Sequence, residues 1–143
     1  GYEVIEATFG RPVPEALKCA IWDAFSEPHN WALLPGAAEV CALPVAKAVL
    51  SNMDSRLYGI LSGLQLGPID FVVLPGEAGR PKPNEAMMQL ACGFLRVAPE
   101  DVLHIGDSAA DDGGMCQRTG ATWLRVDPAG GPDLHAIRTA FAL

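Results

Sequence analysis

Six polar residues of this sequence come directly after short apolar runs or lie in the loops that follow them. They are Ser51, Asn52, Lys82, Asp107, Asp111 and Asp112. A phosphoryl group is bound by hydroxyl and backbone N–H donors together with a positive charge, and Mg²⁺ is bound by carboxylate oxygens. A hydroxyl, an amide, a lysine and an acidic cluster therefore indicate a site for a phosphate group and a cation.

Each of these residues also has a simpler explanation. Ser51 or Asn52 could cap the helix that follows, and Lys82 could be a solvated surface residue. The acidic residues at 107–112 could be favoured by the dipole at a helix start. Because the polar residues occur at three successive strand ends, we favour a common site over three independent explanations.

The apolar runs themselves predict β-strands that alternate with helices. The predicted strands are residues 46–50, 71–74, 102–105 and 122–126. The predicted helices are residues 55–65 and 84–96, a short helix ending near 119, and residues 133–142. This alternation is typical of a parallel, helix-covered α/β sheet, in which ligands bind at the carboxyl ends of the strands. The first 45 residues predict helices only, at 14–25 and 35–43.

The composition narrows the possible partners. The 143 residues carry a formal net charge of −7, which repels a phosphate backbone and argues against direct nucleic-acid binding. No apolar run approaches the roughly 20 residues of a membrane helix, and no signal peptide is visible. The four cysteines are far apart, as expected for buried thiols in a reducing compartment such as cytosol, mitochondrial matrix or plastid stroma.

Three segments resemble the motifs of haloacid dehalogenase-type (HAD) hydrolases. Leu50-Ser-Asn-Met-Asp54 resembles motif II, Lys82 within the loop 79–85 resembles motif III, and His104-Ile-Gly-Asp-Ser-Ala-Ala-Asp-Asp112 resembles motif IV. The run from Ser51 to Leu61 is similar to the group called haloacid dehalogenase-like hydrolase domain-containing protein 3. This resemblance implies a Rossmann-like three-layer α/β core at 45–143, preceded at 1–44 by the remnant of a helical cap.

The resemblance also implies an activity and its residues. It implies hydrolysis of a small phosphorylated substrate through an aspartyl-phosphate, with Mg²⁺ as cofactor. It assigns Ser51 and Asn52 to phosphate binding, and Lys82 to catalysis through neutralisation of the phosphate and nucleophile charge. It assigns the metal to Asp107 with Asp111 or Asp112.

Motif I of the family is not present in these residues. That motif is an Asp-x-Asp sequence after the central strand, and it supplies the nucleophile; no Asp-x-Asp occurs here. Without the central strand, the strands before Ser51 and Asp107 would face each other across a slot with unpaired backbone groups, which are costly when buried. Three explanations remain open: a chain cut from a longer protein, a partner that donates a strand, or a sheet that has closed up.

Two hypotheses about function follow. In the first, the chain is part of an active, Mg²⁺-dependent phosphatase. In the second, it is a catalytically inactive HAD-like subunit that binds protein partners in a larger complex. A GDSL-type esterase with Ser108 as nucleophile is disfavoured, since the Asp133-Leu-His135 segment is one residue short of the required DxxH block and too near in sequence.

Overall fold

The strands that precede the candidate residues form two separate parallel pairs. A computed structural model describes residues 2–127 and 129–143 of the chain. β1 (Ala48–Leu50) pairs with β2 (Phe71–Val73), and β3 (Leu103–Gly106) pairs with β4 (Thr122–Arg125). The parallel α/β architecture predicted from the sequence is confirmed, and within the described residues its strands form two two-stranded sheets.

Helices make up the other regular elements. The α-helices are α1 (Tyr2–Phe9), α2 (Glu15–Ser26), α3 (Ala37–Ala42), α4 (Arg56–Gly63), α5 (Pro75–Ala78), α6 (Ala86–Leu95), α7 (Gly114–Thr119) and α8 (Leu134–Ala140). Single 3₁₀ turns occupy Pro28–Asn30 and Pro99–Asp101, and a π-turn occupies Ala109–Gly113. Along the described chain, no helix combines the length and apolar composition needed to cross a membrane.

The chain divides into two compact units. The first consists of Gly1–Ala32 with Arg56–Gln65, and the second of Leu33–Ser55 with Leu66–Leu143. The sequence-based boundary after residue 44 stays a prediction. Among the described residues before 45 every regular element is helical, as the sequence indicates.

The first unit is held by contacts between its helices. The guanidinium of Arg56 on α4 lies 3.5 Å from the ring centroid of Trp22 on α2, and it also donates to the Trp22 carbonyl at 3.2 Å. Lys18 Nζ lies 2.7 Å from Glu6 Oε1, which joins α2 to α1. A cation over an indole face is favourable because of the ring's quadrupole, so Arg56 links the two segments of this unit.

The core of the second unit lies between its sheets and α6. The buried residues of α6 recur at i, i+1, i+4 and i+5, which places them on one face of the helix. The core cluster consists of Val73, Met87, Met88, Ala91, Cys92, Met115 and Cys116. β2, α6 and α7 thus bury the apolar side chains that support the polar strand ends.

Several elements differ in their bounds from the predicted ones, and two of these differences have a visible cause. The helix predicted from Asn84 begins at Ala86, because the Asn84 side chain accepts the Ala86 N–H at 3.0 Å and forms a turn before the helix. The segment after β3 starts as a π-turn, because the N–H groups of Asp112 and Gly113 both donate to the Ser108 carbonyl. Gly120 ends α7 as expected, with a φ of 86°.

Two glycine substitutions in the second unit should have opposite effects on stability. Gly120→Ala puts a side chain at positive φ and should lower the free energy of unfolding by about 1–2 kcal/mol. Gly93→Ala, inside α6 with open space around it, should raise that free energy by about 0.5–1 kcal/mol. Urea unfolding of both variants measures these changes and checks that α7 ends at Gly120 and that Gly93 lies inside α6. Effects of the same sign would contradict the helix end placed at Gly120.

Candidate functional site

The candidate residues after β1 lie at the carboxyl end of that strand. Ser51 continues the ladder, since its N–H donates to the Val73 carbonyl of β2 at 3.2 Å. Its side-chain oxygen accepts the Met53 N–H at 3.2 Å, which turns the chain away from the sheet. Ser51 is therefore fixed by both its backbone and its side chain.

Asn52 connects this turn to the loop that carries Lys82. Asn52 Nδ2 donates to the Lys82 carbonyl at 3.1 Å, and Lys82 N donates to Asn52 Oδ1 at 2.8 Å. The amide side chain thus satisfies both backbone groups of one residue 30 positions away. In this arrangement the Asn52 side chain positions the Lys82 backbone.

The Lys82 ammonium lies between the ends of β1 and β3. Lys82 Nζ donates to the Leu50 carbonyl at 3.1 Å and to Asp112 Oδ1 at 2.6 Å. Its side chain is only 11% exposed. A lysine with two short bonds and little exposure has a fixed position, which is what a charge aimed at a bound anion needs.

Asp112 is the buried centre of the cluster. Its residue exposure is 3%. Oδ1 accepts from Lys82 and lies 2.8 Å from His104 Nε2, while Oδ2 accepts the Ser108 N–H at 3.1 Å. A buried carboxylate is stable only when it is paired and hydrogen-bonded, and these three donors meet that requirement.

The protonation states of this cluster follow from burial and charge. Burial, together with the charge of Lys82, lowers the pKa of His104 below its ordinary value and outweighs the raising effect of Asp112, so the ring is neutral at pH 7 and its Nε2–H donates. Burial raises the pKa of Asp112, but the hydrogen bonds from His104, Lys82 and the Ser108 N–H, together with the charge of Lys82, outweigh it. The net pKa of Asp112 is lowered, and its carboxylate is ionised.

The space around Asp112 is limited by Gly106 on β3 and Trp123 on β4. A methyl group on Gly106 would overlap the Asp112 carboxyl carbon and oxygens. The Trp123 indole N–H donates to the Gly106 carbonyl at 3.1 Å, and its ring packs against Gly113. The small residues Gly106 and Gly113 therefore allow the loop after β3 to fold closely over the strand ends.

The other two acidic candidates lie on the same loop and are less enclosed. Asp107 is exposed. Asp111 Oδ2 accepts the Ser108 hydroxyl at 3.3 Å, and the same hydroxyl oxygen accepts the Asp111 N–H at 3.1 Å. Ser108 therefore serves as a cap for this turn.

Hydrogen bonds thus connect Asn52, Lys82 and Asp112 directly. Ser51 lies in sequence between Leu50 and Asn52, which are both hydrogen-bonded to Lys82. Asp107 directly precedes Ser108, whose N–H donates to Asp112, and Asp111 accepts the Ser108 hydroxyl. Within the described ranges, no set of three or more His, Cys, Asp or Glu side chains is arranged to hold a metal ion. The donor chemistry still fits Mg²⁺, which takes one or two protein carboxylates and keeps several waters.

His104 is the member of the cluster that sequence reasoning missed. From the sequence alone, its place in an apolar strand predicts a core or strand-end residue. The available signal was its polarity within an otherwise apolar strand, eight residues before Asp112. Because a buried polar group needs a partner, that signal pointed to a nearby acid without saying which one.

Acid should destabilise the protein through His104. Below its ordinary pKa of about 6.5 the unfolded chain binds a proton at this position that the folded chain does not, so the free energy of unfolding falls as the pH falls through this window. The contribution of Asp112 is lost only at lower pH, below the ordinary carboxyl range. His104→Gln should flatten the slope between about pH 5 and pH 7 in urea unfolding.

The matched control for this slope is His135→Gln, which changes an exposed histidine on α8. It should keep the pH dependence of the unsubstituted protein. An unchanged slope in His104→Gln would contradict the neutral, buried imidazole.

Comparisons with known proteins agree on one family. The family described as haloacid dehalogenase-like hydrolase matches residues 3–120. Haloacid dehalogenase-like hydrolase domain-containing protein 3 of Xenopus laevis is 34% identical over 126 residues, covering 85% of this chain and 52% of that protein. The Escherichia coli protein named 5-amino-6-(5-phospho-D-ribitylamino)uracil phosphatase YigB is 33% identical over 87 residues, covering 59% and 34%.

A solved structure supports the same conclusion. The L-2-haloacid dehalogenase from Xanthobacter autotrophicus with chloropropionic acid covalently bound has a TM-score of 0.71 and 25% identity, covering 87% of this chain and 52% of that one. The chain spans about half the length, or less, of the relatives it matches. Since the family match covers most of the chain and agrees with the fold, this protein belongs to the haloacid dehalogenase-like hydrolases.

Proposed function

We propose that this chain provides the phosphate- and magnesium-binding part of a phosphate-ester hydrolase. The observation that carries the proposal is the position of the Lys82 ammonium, bonded to the end of β1 and to Asp112 after β3. A fixed cation bonded to Leu50, the residue before Ser51, suits a phosphoryl group better than a neutral substrate. The phosphatase named among the relatives supports the same reaction class.

The proposal gives each side chain a separate task. Ser51 donates to the phosphoryl oxygens, and Lys82 offsets their negative charge. Asn52 and Asp112 hold the backbone and the ammonium of Lys82 in place. Bound Mg²⁺ supplies Lewis-acid polarisation of a phosphoryl oxygen. The family's nucleophile is an aspartate of an Asp-x-Asp sequence that these 143 residues do not contain, so we assign this chain the binding part of the site only.

The geometry favours Asp111 over Asp112 as the second metal ligand. Both oxygens of Asp112 already accept hydrogen bonds, and that residue is buried. Within the part of the chain that the structure describes, the Asp111 carboxylate has one side-chain partner, the Ser108 hydroxyl, which can rotate away at little cost. We therefore propose Asp107 and Asp111 as the carboxylates for Mg²⁺.

Loss of the Lys82 charge should weaken anion binding. Lys82→Gln should reduce the affinity for inorganic phosphate in the presence of Mg²⁺ by about tenfold or more, because a charge-assisted hydrogen bond is lost. Calorimetric titration or ³¹P line broadening measures this affinity. The control is Arg80→Gln, which removes an exposed positive charge from the same loop and should leave the affinity nearly unchanged. Equal losses in both variants would indicate general charge attraction and contradict a built site.

Substitutions of the neighbouring residues Asp111 and Asp112 should affect different properties, metal binding in one case and stability in the other. Asp111→Asn should weaken the binding of Mn²⁺, used as a paramagnetic substitute for Mg²⁺, with little change in the midpoint of thermal unfolding. Asp112→Asn should instead lower the free energy of unfolding by about 3–5 kcal/mol, because it leaves the Lys82 ammonium buried beside a neutral group. Electron paramagnetic resonance titration and thermal unfolding measure the two effects. If Asp112→Asn weakened Mn²⁺ binding and Asp111→Asn lowered the stability, the roles of metal ligand and buried ion-pair partner would be exchanged.

The hypothesis of an inactive subunit makes a different prediction for the same experiments. A chain kept only for protein contacts needs neither phosphate nor Mg²⁺. Absence of saturable phosphate and Mn²⁺ binding in the unsubstituted chain would contradict our proposal and favour that second hypothesis.

A further inference from the structure

One oxygen of Asp112 accepts hydrogen bonds from two different parts of the chain. Lys82 Nζ lies 2.6 Å from Asp112 Oδ1, and His104 Nε2 lies 2.8 Å from the same atom. The side chains of Lys82 and His104 are each 11% exposed, so water has little access to this oxygen. Each of the two donors therefore restrains where Asp112 Oδ1 lies.

The other oxygen of the same carboxylate is held as well. Asp112 Oδ2 accepts the Ser108 N–H at 3.1 Å, which restrains rotation of the carboxylate. An ionised carboxylate can only accept, so the proton between Asp112 and His104 belongs to His104 Nε2. Three N–H donors in fixed positions thus determine the orientation of this one group.

The Lys82 ammonium has one donor left for a ligand. An ammonium has three N–H groups. Two of them are used, one by the Leu50 carbonyl at 3.1 Å and one by Asp112 Oδ1 at 2.6 Å. Because the three N–H groups are arranged tetrahedrally about the nitrogen, two fixed bonds determine the direction of the third. The position of Asp112 Oδ1 therefore sets where Lys82 can donate to a bound anion.

The His104 N–H goes beyond what the buried carboxylate needs for pairing. Lys82 already gives Asp112 Oδ1 an ionic partner, and Ser108 gives Oδ2 a donor. Placing an imidazole inside a strand is itself costly, since burial of its polar atoms requires a partner. A second donor on Oδ1 is explained when the direction of the Lys82 bond matters, because it stops the carboxylate from following the ammonium.

We propose that His104 is a positioning residue, whose Nε2–H holds Asp112 Oδ1 so that the Lys82 ammonium directs its third N–H at a bound phosphoryl oxygen. This inference rests on the proposed function of the site and adds a residue to it. The property that His104 contributes is an N–H donor on a neutral side chain, and neither its volume nor a charge. A glutamine, which places an amide N–H near the position of His Nε2, should therefore replace it.

The effect on Lys82 can be measured in the full chain without a ligand. Lys18, Lys47 and Lys82 are the lysines of the sequence, so labelling with ¹⁵N-lysine gives a simple ammonium spectrum. The Lys82 signal is the one lost in Lys82→Gln. Its hydrogen exchange with water should be slow in the unsubstituted protein and in His104→Gln, and about tenfold faster in His104→Leu, which has no N–H to donate.

Lys47 provides the internal reference for this measurement. Its Nζ is bonded to the carbonyls of Leu43 and Val45, each at 2.6 Å, and not to Asp112. The exchange rate of the Lys47 ammonium should be the same in all variants. A common rise at both lysines would mean general loosening of the fold and contradict a specific effect of His104 on Lys82.

The effect on the ligand is measured with inorganic phosphate in the presence of Mg²⁺ at pH 8, where the imidazole is neutral. His104→Leu should bind phosphate about tenfold more weakly, as is usual when a residue that orients a binding side chain is lost, whereas His104→Gln should stay within about twofold. The matched control is His135→Leu, at an exposed position of α8, which should keep the original affinity.

Thermal unfolding verifies that each variant is folded under these conditions. If His104→Leu does not fold, His104→Asn takes its place, because asparagine keeps the amide but is one methylene shorter than glutamine and cannot reach Asp112 Oδ1. The same tenfold changes in exchange and in affinity are expected of it.

Three results would overturn the inference. The first is an unchanged phosphate affinity in the folded His104→Leu or His104→Asn variant. The second is an equal loss in His104→Gln, which would mean that the shape of the ring matters and not its N–H. The third is a weaker affinity without faster exchange at Lys82, which would mean that His104 acts by another route. Saturable phosphate binding by the unsubstituted chain is measured first, so these results leave the proposed function standing, whereas absence of that binding overturns both.

Discussion

A single buried carboxylate, that of Asp112, organises the polar part of this protein. Removing an ionised group from water is costly unless donors replace the lost hydration. Asp112 obtains these donors from three different places in the chain: Lys82 from the loop between α5 and α6, His104 from β3, and the Ser108 N–H from the residue before the π-turn. The need to satisfy this one group therefore brings the ends of separate elements together and fixes the position of the Lys82 ammonium.

The same requirement explains which residues around the cluster are small. Gly106 has no space for a side chain because the Asp112 carboxylate occupies it. Gly113 is confined by the Trp123 ring, whose N–H in turn holds the Gly106 carbonyl. Packing and electrostatics are thus coupled here, since a larger residue at either glycine would move the carboxylate away from its donors.

The sequence was informative where local rules dominate. Alternation of apolar runs and helices predicted four strands and their parallel arrangement, and turn residues such as Gly120 marked helix ends correctly. The sequence could not distinguish Asp111 from Asp112, because burial depends on the path of the π-turn after Ser108. It likewise gave no partner for His104, and did not indicate that residues 56–65 join the helices of the first 32, since both depend on contacts distant in the chain.

The tryptophans are distributed so that each compact unit has its own fluorophore. Trp22 and Trp31 lie in the first unit, and Trp123 is the only tryptophan in the sequence of the second. The Trp123 ring rests on Gly113 and its N–H is bonded to the carbonyl beside Asp107, so its emission depends on how the acidic loop is folded. Replacing Trp22 and Trp31 by phenylalanine would leave an intrinsic optical signal from the loop alone, without any added label.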